Sequence, residues 1–208
     1  MKRQLRDSPD AARLRRAVRS LDCPPQAPGW NAGELADLVE TDAQRPAAVL
    51  VPFVRRAGRL SVLFTRRNEQ LRQHAGQISF PGGGVDPADA DVIAAALRET
   101  DEETGITADQ VEPFGYLDCF ETVSGYCVTP VAGFVDGDYS PCPHNDEVDE
   151  VFEVPLAFIL EPASLRREHI LWRGRERDIF AFEWEGRRIW GATAAILKNL
   201  LDRLENVA

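Results

Sequence analysis

The stretch Pro81-Gly82-Gly83-Gly84-Val85-Asp86-Pro87, running into Asp91 to Ile106, leaves the backbone fewer outcomes than any other part of the chain. Three glycines between prolines predict a tight turn, and the segment after it has the period of a helix that stops at Gly105. Ile93, Leu97, Thr100 and Thr104 recur at four, three and four residues and predict one buried stripe. Glu99, Glu102 and Glu103 form a second stripe, roughly 120° away at about 100° per residue. Like charges three and four residues apart destabilise a helix by about 0.2–0.5 kcal/mol per pair. A hard divalent cation reverses that sign, because it takes oxygen ligands and works beside phosphate.

The remaining elements follow from local patterns. Residues 8–21 predict a helix capped by Ser8 or Asp10, followed by a Pro- and Gly-containing connection with a short helical turn near residues 34–38. Runs 47–54 and 59–65 read as a hairpin, and residues 77–80 as a short apolar step into the glycine turn. Runs 111–122 and 126–135 read as a second antiparallel pair, residues 148–154 as a strand, and Pro155 as the start of a helix to Leu160. Residues 179–184 and 187–190 form another hairpin before a closing helix over 192–206, with Ile196, Leu200 and Leu204 on one stripe. Strands before, between and after helices predict an α/β/α sandwich with a mixed β-sheet. One domain is expected at 208 residues and 44% hydrophobic content. Residues 1–45 would form an N-terminal helix and connection packed on a domain spanning 46–208.

The formal net charge of −10 is a poor match for nucleic acid or an anionic membrane, both bound chiefly through clustered Lys and Arg. No apolar run has the length of a membrane span, and no apolar signal segment opens the chain. Cys23, Cys119, Cys127 and Cys142 include no C-x-x-C pair, which fits a reducing, cytoplasmic setting.

Arg98-Glu99-Thr100-Asp101-Glu102-Glu103-Thr104-Gly105-Ile106 resembles the second half of the Nudix box, G-x5-E-x7-R-E-U-x-E-E-x-G-U, departing only in the polar Thr100. The first half differs more: Asp89 replaces Glu, and one extra residue separates it from Arg98. An upstream run, Leu63-Phe64-Thr65-Arg66-Arg67-Asn68 with Arg72, Gly76 and Phe80-Pro81-Gly82-Gly83, is similar to the signature of the coenzyme A pyrophosphatase branch. Phe64 and Asn68 depart from its pattern.

The resemblance implies a Nudix fold and Mg²⁺ or Mn²⁺ held by Glu99, Glu102, Glu103 and the carbonyl of Gly83. It implies hydrolysis of the diphosphate of coenzyme A or acyl-CoA to phosphopantetheine and adenosine 3′,5′-bisphosphate. Glu147 or Glu102 would take the proton of the attacking water, and Arg98 would orient the carboxylates. Arg66, Arg67 and Arg72 would meet substrate phosphates, since guanidinium forks match phosphate oxygens. Arg166, Arg167, Arg173, Arg175 and Arg177 read as an exposed basic hairpin, and His74 as a turn residue. Other substrates stay open, among them ADP-ribose, a nucleotide sugar or a nucleoside triphosphate, as does a nucleotide-sensing module without hydrolysis. The chain would act as a monomer or homodimer.

Overall fold

The run Ala47 to Val54 is apolar at almost every position, the pattern of a strand covered on both faces. It becomes the centre of the molecule. In a computed structural model, which describes residues 8–35, 44–56, 58–71, 74–135, 137–143, 146–172 and 174–207, this run lies in β1 (Arg45–Arg56). Its side chains alternate strictly: Ala48, Leu50 and Val54 join one core cluster, while Ala47, Val51 and Phe53 join the other.

β1 turns back into β2 (Arg59–Arg67) as an antiparallel hairpin, then the two strands splay. Into the splay runs the segment of the glycine turn. Its first part, β3 (Ile78–Ser79), pairs with β2, and after Phe80-Pro81 its second part, β4 (Gly82–Gly84), pairs with β1. Pro52, unexpected in a central strand, sits where this change of partner occurs. The Leu50 N–H bonds the Pro81 carbonyl, so two residues on the missing N–H of Pro52 faces the gap between β4 and β2.

On its other edge β1 runs parallel to β7 (Tyr126–Val135), which pairs antiparallel with β5 (Val111–Tyr116) and β6 (Phe120–Glu121). β8 (Val148–Pro155) covers the outer edge of β2. Among the described residues these make an eight-stranded mixed sheet, and β9 (Arg166–Trp172), β10 (Arg175–Trp184) and β11 (Arg187–Trp190) make a three-stranded antiparallel one. Two short helices, α1 (Pro9–Ala17) and α2 (Ala32–Leu35), precede the sheet. The helix carrying the acidic box, α3 (Val92–Thr104), lies on one face, over β1 and β4. α4 (Leu156–Ile159) and α5 (Ala192–Glu205), with α1 and the small sheet, cover the other. The α/β sandwich with a mixed sheet is therefore as expected.

Several local expectations shift. The first helix stops at Ala17 rather than residue 21, because Arg19 instead bridges to Tyr116. The turn expected near 34–38 is α2, and residues 36–38 lie outside the described residues. Arg72, His144, Asn145 and Arg173 also lie outside them. The buried stripe of α3 is rotated: Ala95, Ala96, Thr100, Glu103 and Thr104 are buried, whereas Ile93 and Leu97 are only partly so. Small residues face the sheet because α3 must sit close to a strand of glycines. The hydroxyls of Thr100 and Thr104 remain satisfied there by donating to the carbonyls of Ala96 and Thr100, each at 2.6 Å. Thus a threonine occupies the apolar position of the box at no cost in orphaned polar groups.

Asp118 ties the N-terminal segment to the last helix. It accepts from Arg19 Nε at 2.8 Å, from Asn199 Nδ2 at 3.0 Å and from Arg203 Nη1 at 2.9 Å. Burial opposes its charge, but these partners outweigh burial and hold its pKa below the ordinary aspartate value. A depressed carboxylate stabilises the fold above its unfolded pKa and loses that contribution as pH falls through the folded one. Asp118→Asn is expected to cost about 1–2 kcal/mol in urea unfolding at pH 7. The deficit should shrink below about pH 4; a deficit constant with pH would contradict the assignment.

A candidate metal and phosphate site above the glycine strand

Asp91 caps α3 by accepting the Ala94 N–H at 2.8 Å, and Gly105 ends it in the left-handed conformation that favours glycine, its N–H bonding the Asp101 carbonyl. Between these caps the helix presents Arg98, Glu99, Glu102 and Glu103 above β4. Gly83 makes the approach possible. A Cβ at that position would lie 2.5 Å from Glu99 Oε1, so the absent side chain is the space the carboxylate uses.

Glu103 is only 4% exposed, and its Oε2 accepts the Gly82 N–H at 3.3 Å. Among the described residues Arg67, at the end of β2, comes within ion-pair distance, with Nη1 at 3.9 Å from Oε1, while Nη2 of the same guanidinium donates to Glu147 Oε2 at 3.0 Å. Burial pushes Glu103 up to about 8; the Gly82 bond and Arg67 oppose the rise, and the charges of Glu99 and Glu147 add to it. Glu99 is also raised, first by burial, with Arg98 opposing and Glu102 and Glu147 contributing. The two carboxylates therefore sit together with less positive charge than they need, and Glu147, from a different part of the chain, adds to the same negative field.

Arg98 is fully occupied. Its Nε and Nη2 each bond Asp89 at 3.0 Å, its Nη1 reaches Glu99 at 2.9 Å and Glu102 at 3.3 Å, and Nη2 also meets the Gly84 carbonyl at 3.2 Å. The guanidinium thus locks the glycine strand, the following loop and α3 together. This gives Asp89 a place that spacing alone left open: it is the bidentate partner of Arg98, its pKa lowered first by that bond and then by the Asp86 N–H. An Asp shifted by one residue still reaches because the loop after Val85 folds back, with Asp86 and Asp89 bonded to each other's backbone.

The structure brings together Glu99, Glu103, Gly83, Arg98, Arg67 and Glu147. Glu102 is the outlier of the acidic set: half exposed, it turns to Arg98. Arg66 also stands apart. Neighbouring residues of a strand face opposite sides of the sheet, and Arg66 meets Glu150 at 3.2 Å, which is shared with Arg187 of β11 at 2.6 Å. What the residue pattern missed is the bridge from Arg67 to both Glu103 and Glu147. Parity along β2 was the available signal, since it separates Arg67 from Arg66.

Among the described residues no three His, Cys, Asp or Glu side chains form a ready-made metal cage. One buried and one partly buried carboxylate beside a strand of glycines nevertheless fit Mg²⁺ or Mn²⁺. Mg²⁺ commonly takes one or two carboxylates and completes its octahedron with waters and substrate phosphate. Gly83→Ala is expected to leave thermal unfolding within a few degrees of the parent, because the atoms nearest the added methyl belong to the flexible end of Glu99. It should weaken Mn²⁺ binding in calorimetry by about tenfold or more; unchanged affinity would separate Gly83 and Glu99 from the cation.

The profile of the NUDIX domain matches residues 44–173. An uncharacterized Nudix hydrolase, NudL, from Escherichia coli O1:K1 is 45% identical over 161 residues, 77% of this chain and 83% of its own length. In fold the chain is similar to a MutT/nudix family protein from Enterococcus faecalis, with a TM-score of 0.51, 19% identity, and coverage of 80% of this chain and 64% of that one. It is similar also to a Nudix hydrolase from Alicyclobacillus acidocaldarius, with a TM-score of 0.50, 21% identity, and coverage of 76% and 91%.

Proposed function

The chain belongs to the Nudix family, and from that premise we propose that it is a divalent-metal-dependent hydrolase that splits the diphosphate of coenzyme A or an acyl-CoA. The observation that carries the hydrolase reading is the buried Glu103 beside Glu99 on a glycine strand, with Arg67 within ion-pair distance of Glu103. A cation held by Glu99, Glu103 and the Gly83 carbonyl would supply charge neutralisation on the non-bridging phosphate oxygens. A site built only to recognise a nucleotide has no need to bury carboxylates short of countercharge, which favours hydrolysis over sensing.

The residues divide the work. Arg98, saturated by Asp89, Glu99, Glu102 and Gly84, fixes the Glu99 carboxylate in direction. Arg67 stands between Glu103 and Glu147, where it can turn toward a phosphate oxygen without leaving the cluster. Glu147 is about half exposed, so water reaches it, and it is the carboxylate positioned to take a proton from water attacking phosphorus. Glu102, turned to Arg98, is the second choice for that role.

Coenzyme A as the substrate is supported by the upstream run from Leu63 to Gly83, whose Arg67 and glycine strand are components of the same site. Arg72 remains a proposed phosphate contact of that run, whereas Arg66, paired with Glu150 on the opposite side of the sheet from Arg67, is set away from the cluster. ADP-ribose, nucleotide sugars and nucleoside triphosphates are the competing substrates of the same chemistry.

Incubation with Mg²⁺ or Mn²⁺ and coenzyme A, ADP-ribose, NADH or dNTPs, with chromatographic resolution of products, tests the assignment. Phosphopantetheine and adenosine 3′,5′-bisphosphate are expected from coenzyme A. Preference for another substrate would remove the coenzyme A reading while leaving the hydrolase. No turnover, with ligand-induced stabilisation, would leave a sensor.

Glu103→Gln is expected to lower kcat by at least a hundredfold, and Glu147→Gln by about two to four orders of magnitude with unchanged unfolding temperature. An active Glu147→Gln variant would disqualify Glu147 as the base.

A further inference from the structure

Glu147 lies in a turn, yet its carboxylate sits against Arg67 with Glu103 on the far side of the guanidinium. A side chain on a turn holds such a position only if the backbone beneath it is fixed. Asn68, the first residue beyond β2, supplies that fixation. Its N–H donates to the Glu147 carbonyl at 2.8 Å, and its Nδ2 donates to the Asp146 carbonyl at 3.0 Å. The side-chain amide is itself braced, since its Oδ1 accepts the Gln70 N–H at 2.8 Å.

The sheet contributes a second device. The register between β2 and β8 slips between Arg66 and Arg67: Arg66 faces Glu150, but Arg67 faces Val148, so Asp149 is an extra residue in β8. Such a bulge bends a strand and re-aims the residues beside it. Here it draws the turn before β8 one residue closer to the end of β2, and Asp149 accepts the Glu69 N–H at 3.3 Å.

We propose that Asn68, acting with the Asp149 bulge, is the positioning residue that holds Glu147 in its catalytic place. In this role Asn68 acts through the backbone of Asp146 and Glu147. The inference rests on the reading of Glu147 as the base. It gives a physical role to a position at which the chain departs from the upstream signature: an amide accepts at Oδ1 and donates from Nδ2, two atoms held apart on a longer side chain, where a hydroxyl would have to do both at one oxygen.

The test is a double-mutant cycle in the full-length protein, with kcat and KM measured on the substrate that the product assay selects. Asn68→Ala should lower kcat about tenfold with KM within a factor of two, and with an unfolding temperature close to the parent's. Asn68→Asp, which keeps the brace to Gln70 but loses the donor to Asp146, should fall as far. In the Glu147→Gln background, Asn68→Ala should lower kcat no further. Equal losses in both backgrounds would assign Asn68 a general structural role and overturn the proposal. Unchanged kcat in either Asn68 variant, beside an impaired Glu147→Gln, would also overturn it while leaving Glu147 as the base. A fully active Glu147→Gln would instead remove the base assignment itself, and the proposal with it.

Discussion

Two carboxylates, Glu99 and Glu103, pressed against a strand of glycines, with Arg98 orienting the first and Arg67 held beside the second, set the terms for the rest of the molecule. Burying Glu103 is unfavourable in a bare protein, and setting Glu99 beside it increases the penalty. The fold tolerates the arrangement because the surrounding elements are tied down independently. α3 is capped at both ends, its small residues pack on β1, and Arg98 fastens it to the loop through Asp89. What is unfavourable locally is then available to a cation and an anionic substrate.

The mixed sheet places this cluster. β1 is paired on one edge along its length with β7, whereas its other edge changes partner from β4 to β2. The glycine segment enters only because of that change, and Pro52 is accepted in the central strand for the same reason. The splay puts Gly83 under α3, and the end of β2, held between β3 and β8, carries Arg67 and Asn68 to the turn bearing Glu147. Elements far apart in sequence, at residues 67, 83, 99–103 and 147, meet because two strands separate.

Much of the architecture was legible because its signals are local. The hairpin of β1 and β2, the capped acidic helix, the second antiparallel pair and the closing helix follow from period and from turn residues. The rotation of α3 was not legible. Hydrophobicity placed Ile93 and Leu97 inward, but distance to a glycine strand rewards small side chains, so Ala95 and Ala96 took the centre and carried Glu103 inward with them. Glu102 illustrates the same limit, since it shares the acidic stripe and Arg98 with Glu99 but keeps its carboxylate half exposed.

The helix with its acidic stripe, the glycine turn before it, the apolar strand over 47–54 and the resemblance to the Nudix box were legible along the chain, because each is written in residues close to one another. Packing in three dimensions sets how Asp89 clamps Arg98, which of Arg66 and Arg67 faces the carboxylates, and how Glu147 joins Glu103 through Arg67. These relations depend on strand register, on a one-residue bulge and on how closely a helix approaches a strand. Register and approach are set by packing between distant segments, and a list of residue types does not contain them.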